Sequence, residues 1–397
     1  MKFLVSFALL AASITPLASA WDHPLAARQA QQSLSSALSS HADLSTFNQL
    51  LNSYPDIISN VTTGGQNRVT ILVPTNDAFT KYLQQSNVSD LAALPVDRLL
   101  NVFRYHTLEA GLTVQNFSAP RGITVPTKLR DALNNLRSPG AAIIDQFGAD
   151  AQGQVLYVAP DAINPAKFRV RQTSDDDKTA SLRAGLGQTA TLTTIDGIWD
   201  GGFFQSIDAV LEVPTVCSTT IKKLSGSLSS LKDALDKTKL WKDLDAKPNI
   251  TCLAPNTDAF REAGNPQNEL GNEDLKNALL FHTLPQVSYS NFLTDGQEFI
   301  SLSNNIVRVT VRDNEIWFND AKVVSPNVLT NNGLIHVLDR VMSPNATGPA
   351  SEPSSTAPSG LSGAASPTGG PGNAGNPVSG NMRSAAVIAF AACLLII

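Results

Sequence analysis

Three cysteines in 397 residues are too few for a disulfide scaffold or a multi-cysteine zinc protein. Charged residues are scarce too, at 16% of the chain, below the usual share of a globular protein. Lys and Arg together number 29 and Asp and Glu 34, a net of −5. So small an imbalance leaves no electrostatic footprint for nucleic acid. The chain has no C-x-x-C, no H-x-x-x-H, no G-x-S-x-G elbow and no P-loop. The common signatures of zinc sites, serine hydrolases and nucleotide binding are therefore missing. Arg-Gly-Asp is absent as well. What the chain does have is 42% apolar residues, enough to pack cores in two or three domains.

The two ends read as addresses. Lys2, an apolar stretch from Phe3 to about Ile14, and Ala18-Ser19-Ala20 make a secretory signal peptide over 1–20. At the other end, Ala385–Ile397 is apolar and uncharged but, at ~20 Å as a helix, too short to span a bilayer. Ahead of it lie the small triplet Asn373-Ala374-Gly375 and a polar spacer. That order is the pattern of glycosylphosphatidylinositol (GPI) attachment. The expected attachment point is Asn373, with Gly375 and Ser379 as alternatives, and 374–397 would be removed. Of the 39 residues 343–381, 26 are Ser, Thr, Pro or Gly. Such a segment cannot bury enough apolar surface to offset its ordering entropy, so 345–373 reads as a disordered, O-glycosylated stalk.

Between the ends the chain repeats itself once. Val69-Thr70-Ile71-Leu72-Val73-Pro74 and Ile250-Thr251-Cys252-Leu253-Ala254-Pro255 are short strands, each followed at the same distance by Asp-Ala-Phe, at Asp77 and Asp258. Proline ends each strand, and Thr75/Asn76 and Asn256/Thr257 can cap a helix directly. Further on, Leu99, Val102, Phe103 and His106 fall on one helix face, as do Leu275, Ala278, Leu279 and His282. Each copy closes on a strand carrying an aspartate, Asp208 or Asp339. The early motifs keep register within five residues, and the closing strands lose 45. The first copy therefore carries an insertion, placed within about 129–194. Helices first and strands after give an α+β class, with a hairpin expected over 306–318 and strands at 154–158 and 168–171.

These residues resemble the fasciclin domain family. Its first box matches Thr70–Phe79 and Thr251–Phe260, and its Tyr-His pair matches Tyr105-His106 and Phe281-His282. Its closing box matches Asn332–Asp339 well and Gly202–Asp208 less well, since Gln205 stands where the second copy has His336. The resemblance implies two tandem fasciclin-like domains, 30–214 and 215–344, each a β-wedge packed with helices. The lipid-anchor layout is similar to that of fungal and plant surface members. It also implies adhesion between cells, to matrix or within a wall. If the family's Tyr-His surface binds, the candidate adhesive residues are Tyr105, His106, Phe281 and His282.

The residues themselves also allow plainer readings. A histidine on an apolar helix face is more often a core residue satisfied by hydrogen bonds. Asp77, Asp258, Asp208, Asp339 and His336 read as structural. No catalytic residue, metal or cofactor is expected. Cys217 and Cys252 pair in an oxidising compartment, or else stay as two buried thiols. Sequons stand at Asn60, Asn87, Asn116, Asn249 and Asn345. The expected function is non-catalytic adhesion at the outer face of the plasma membrane or in the cell wall. Its partners would be wall polysaccharide, a matrix or surface protein, or a second copy, besides the membrane lipid. Organisation of the vacuolar membrane and hydrolysis of wall glycans are the alternatives.

Overall fold

The computed structural model describes residues 32–56, 59, 68–86, 88–89, 93–160, 180–193, 197–346 and 348–349. The signal peptide, the stalk beyond 349, the attachment signal, Asn60, Asn87 and the strand expected at 168–171 lie outside the described residues. Both repeats belong to one compact unit. Among the described residues no helix is long and apolar enough to cross a membrane.

In the first repeat α1 (Leu34–Leu38), α2 (Ser45–Ser53), α3 (Asn76–Ser86) and α4 (Val96–Tyr105) cover one face of a sheet. The sheet is ordered β2 (Thr107–Leu108), β1 (Val69–Pro74), β8 (Gly202–Ile207), β7 (Gly197–Trp199). A second sheet follows the order β3 (Ile123–Pro126), β4 (Val155–Pro160), β5 (Ala180–Arg183), β6 (Thr189–Thr191). A short helix, α5 (Ala141–Phe147), lies between β3 and β4. The second repeat opens with α6 (Cys217–Lys223), α7 (Ser225–Thr238) and α8 (Trp241–Ala246). After β9 (Ile250–Pro255) come α9 (Thr257–Glu262), α10 (Pro266–Glu269) and α11 (Asn272–Phe281). Its strands are β10 (Thr283–Leu284), β11 (Glu298–Ile300), β12 (Ile306–Arg312), β13 (Glu315–Phe318), β14 (Ala321–Thr330) and β15 (Gly333–Leu338). They form one seven-stranded sheet, β10-β9-β15-β14-β13-β12-β11, with the hairpin where the sequence placed it.

First and last strands pair in parallel at the centre of each repeat, β1 with β8 and β9 with β15. Every residue of β1, β9 and β15 is buried. Period-2 alternation divides them between two cores. Val69, Ile71 and Val73 meet the helices, while Leu72 meets the second sheet. Ile250, Cys252, Ala254 and Leu253 divide the same way. The prolines close the strands, and the expected caps follow. Thr75 Oγ1 accepts from Ala78 N–H at 3.2 Å and Asn256 Oδ1 from Ala259 N–H at 2.7 Å.

The long strand β14 shifts register between Val323, Ser325 and Val328. The first repeat breaks at the equivalent place into β6 and β7, which is why its strands form two sheets.

The extra length of the first repeat is not one inserted block. Part lies between β4 and β5 and part in the β5–β6 turn, but the largest share replaces the short β11–β12 turn with the excursion 127–154. That excursion straps the first repeat to the second. Leu136 N–H donates to Asn331 O at 2.6 Å, and Asn331 Nδ2 returns to Leu133 O at 2.9 Å. Gln154 Nε2 reaches Thr330 O at 3.2 Å. The Arg137 side chain, 7% exposed, holds the strap from within through Gln154 Oε1 at 3.0 Å and Gly153 O. Ile143, Ala151 and Val155 then share one apolar cluster with Tyr289, Leu329 and Leu334 of the second repeat. Outside the strap, Arg121 Nη2 donates to Ser290 O at 2.6 Å and Thr124 Oγ1 to Asn291 Oδ1 at 2.6 Å.

Candidate binding surfaces

The four residues proposed as an adhesive surface are interior. Tyr105 is 0% exposed, His106 2%, Phe281 5% and His282 5%. None of their rings can meet a partner without unfolding its helix, and the reason is local. Each histidine is the first residue past its helix, and the chain turns at once into a short strand at the sheet edge. Nδ1 of His106 lies 2.7 Å from Val102 O, and its Nε2 accepts from Leu211 N–H at 3.0 Å. His282 repeats this with Ala278 O at 2.8 Å and Met342 N–H at 2.9 Å. The neutral ring with Nδ1 protonated satisfies both bonds. Each imidazole thus pins the helix end to the chain just past the closing strand. Desolvation lowers both pKa values from 6.5 to about 4, against the opposing backbone hydrogen bonds to Val102 and Ala278. Tyr105 donates from its hydroxyl to Val155 O at 3.1 Å. Phe281 has no such donor and packs edge-on against the His282 ring at 5.6 Å.

The closing-strand residues are equally internal. His336, 0% exposed, pairs Nε2 with Ser288 O at 2.9 Å and accepts at Nδ1 from Asn327 N–H at 3.3 Å. Gln205, its counterpart, sends Nε2 towards Leu112 O at 3.4 Å. Leu112 and Ser288 are equivalent, because the N–H of each donates to the strand threonine, Thr70 or Thr251. The amide of Gln205 therefore does part of the imidazole's work. Asp208 Oδ1 accepts from Thr191 N–H at 2.6 Å, and Asp339 Oδ1 from Lys322 N–H at 2.8 Å. The two carboxylates occupy matching positions in different repeats and lock strand ends. Asp77 and Asp258 are exposed in the first turns of α3 and α9, where a negative charge favours the helix dipole. Among the described residues no group of three or more His, Cys, Asp or Glu could hold a metal ion.

Cys217 and Cys252 are both buried, as free thiols. A hydrogen bond to Cys252 and then burial push the Cys217 thiol well above its ordinary pKa. Of the described sequons, Asn345 is exposed and Asn116 and Asn249 are half-buried. Asn116 Oδ1 caps a single helical turn by accepting from Thr113 N–H at 2.8 Å.

One concavity among the described residues was missed by sequence reading. A groove of about 640 Å³ runs between α4 and the strap in the first repeat. Asp97, Arg98 and Arg104 line it from α4, Asp131 and Leu133 from the strap, and Glu212 from the chain past β8. Leu133 is 80% exposed, although its carbonyl is tied to Asn331. The strap has no counterpart in the second repeat, so only the first can build this wall. The excess length placed within about 129–194 was its only signal in the sequence.

The Fasciclin domain matches this chain at residues 42–137 and again at 226–344. A "Fasciclin-like arabinogalactan protein" of Arthroderma benhamiae is 25% identical over 325 residues, covering 79% of this chain and 67% of that protein. "Fasciclin-like arabinogalactan protein elcF" of Phaeosphaeria nodorum is 24% identical over 321 residues, covering 80% and 90%. A solved FAS1 domain pair from the insect cell adhesion molecule Fasciclin I aligns over 77% of this chain and 98% of its own, with 18% identity and a TM-score of 0.35. One matched segment falls in each repeat, the first ending at Arg137 within the strap, and the chain belongs to the fasciclin domain family.

Proposed function

We propose that this chain is a non-catalytic surface protein whose docked pair of fasciclin domains contacts cell-wall or matrix material, held off the membrane by the stalk and a GPI lipid. Related chains carry the names fasciclin-like arabinogalactan protein and, at 28% identity over 152 residues, human periostin. The observation that carries the reading is the groove between α4 and the strap. Its charges are of both signs, Asp97, Asp131 and Glu212 against Arg98 and Arg104, so it has little net field to select an ion. Carboxylates and guanidinium groups around apolar Leu133 and Pro95 suit the hydroxyls and C–H faces of a neutral polysaccharide. Such contacts are individually weak, and display of many copies on one membrane multiplies them.

The test is aggregation of cells displaying the full chain, compared with cells displaying Leu133→Asp or Arg104→Glu. Both changes lie on a groove wall and are expected to weaken aggregation at unchanged surface level. Aggregation equal to wild type in both would remove the groove from the reading. Location at the vacuolar membrane would favour the endomembrane alternative.

We further infer that Cys217 and Cys252 join during secretion, the two thiols giving up two electrons and two protons to a disulfide oxidant. Closing the 35-residue loop would stabilise the second repeat by about 3–4 kcal/mol in the chain-entropy picture. The unreduced secreted chain is then expected to resist thiol alkylation after unfolding. Labelling of both cysteines would refute the bond.

A further inference from the structure

Asn249 meets two demands with one side chain. It opens the sequon Asn249-Ile250-Thr251, and it also ties the second repeat to the strap. Its Oδ1 accepts from Ser138 N–H at 2.6 Å, and its Nδ2 donates to Ser138 Oγ at 3.3 Å. The backbone at Asn249 is left-handed, φ 56°, a conformation asparagine tolerates better than most residues. That conformation turns the amide out of the start of β9 towards the strap.

A two-point contact with a single residue uses one edge of the carboxamide. That edge consists of the oxygen and the N–H hydrogen on the same side of the C–N bond. An N-linked sugar replaces one of the two amide hydrogens. Secondary amides are trans, so the sugar carbon takes the position on the oxygen's side. The sugar and Ser138 therefore compete for the same edge.

We propose that Asn249 serves either the seam between the domains or an N-linked glycan, never both, so that glycan attachment there releases the strap. The reading rests on entry into the secretory pathway, where glycans are added. Thr251 is 0% exposed and gives its hydroxyl to Gln286 O at 2.7 Å. The transferase can thus reach this sequon only before β9 has closed. Chains that dock early keep a bare Asn249, and chains modified first are held apart at this corner.

The experiment uses the full chain produced behind a host's own secretory leader, which makes the outcome independent of residues 1–20. A failure of the native leader is read separately, from secretion without the host leader. Molecules with and without a sugar at Asn249 are separated by glycopeptide mass and lectin binding. Exposed Asn345 serves as the internal control for transferase access. Strap docking is read from hydrogen exchange at the Leu136 amide, which donates to Asn331 O. In chains carrying the sugar this amide is expected to exchange at least about tenfold faster than in bare chains. Equal protection in the two pools overturns the proposal. If every wild-type chain is bare at Asn249 while Asn345 is occupied, Arg137→Ala decides. This variant removes the strap's internal support at Gln154 and Gly153. A rise in Asn249 occupancy supports the proposal, and occupancy still at zero overturns it.

Discussion

Acidification from pH 7 towards 4.5 is expected to unfold this protein through three histidines. His106, His282 and His336 each have a folded pKa lowered from 6.5 to about 4, in every case chiefly by desolvation. For His336 the Arg183 charge lowers it further, while hydrogen bonds to backbone carbonyls oppose the shift at all three. Between pH 6.5 and 4 the unfolded chain binds protons that the folded chain does not. Stability is therefore intact above 6.5 and falls as pH drops through that window, by at most ~1.4 kcal/mol per unit per histidine. Three histidines over the window total at most ~10 kcal/mol, comparable with the whole stability of a typical domain. Urea midpoints measured at pH 7, 6 and 5 should fall steadily, before ordinary carboxylates titrate. Midpoints flat across that range would refute the assignment.

His336→Gln separates the proton from the hydrogen bond. The first repeat already has glutamine here, and Gln205 keeps the bond to the chain equivalent to Ser288. The variant is expected to lose little stability at pH 7 and to show a pH dependence about one third shallower. His106→Ala is a harsher change. It leaves the buried Leu211 N–H without its acceptor, a cost of about 1–3 kcal/mol, and opens a cavity besides.

The histidines also show what was legible in the sequence. Their helix positions followed from spacing, because an i, i+3, i+4, i+7 stripe must face a core. Their partners did not, since Leu211 lies 105 residues from His106 and Met342 lies 60 from His282. A backbone amide carries no residue-type signal. The strap was hidden for the same reason. Its excess length was readable, but it docks largely on the main chain of Thr330 and Asn331. Gln205 looked like a departure from the repeat and proved to be a substitution that preserves one bond. The central strands were the most transparent part, because a strand buried on both faces has to be apolar nearly throughout.

Gly333→Ala is expected to be among the most damaging single changes, with Gly202→Ala close behind. Both glycines begin the closing strand of their repeat and pair directly with the first residue of the opening strand, Ile250 or Val69. The chain before each is anchored, since Ile250 N–H donates to Asn332 O and Val69 N–H to Gly201 O, both at 3.0 Å. Asn332 is further fixed by bonds from Nδ2 to Leu244 O and Lys247 O. A Cβ at Gly333 would lie inside the carbonyl group of Ile250, and one at Gly202 inside that of Val69. The obstacle in both cases is backbone in a central parallel pair, so no rotamer change can relieve it. Overpacking costs about 1–3 kcal/mol, and fixed backbone as the obstacle places these changes at the top of that range, about 3 kcal/mol. At roughly 2 °C per kcal/mol for a unit of this size, Tm should fall by about 6 °C. Gly226→Ala is the control. It lies in the helix α7 with nothing within 4 Å of a built Cβ, and is expected to be neutral or slightly stabilising. If Gly333→Ala melts with the wild type, β9 and β15 do not pair in this register, and the equivalence of the two repeats fails at its centre.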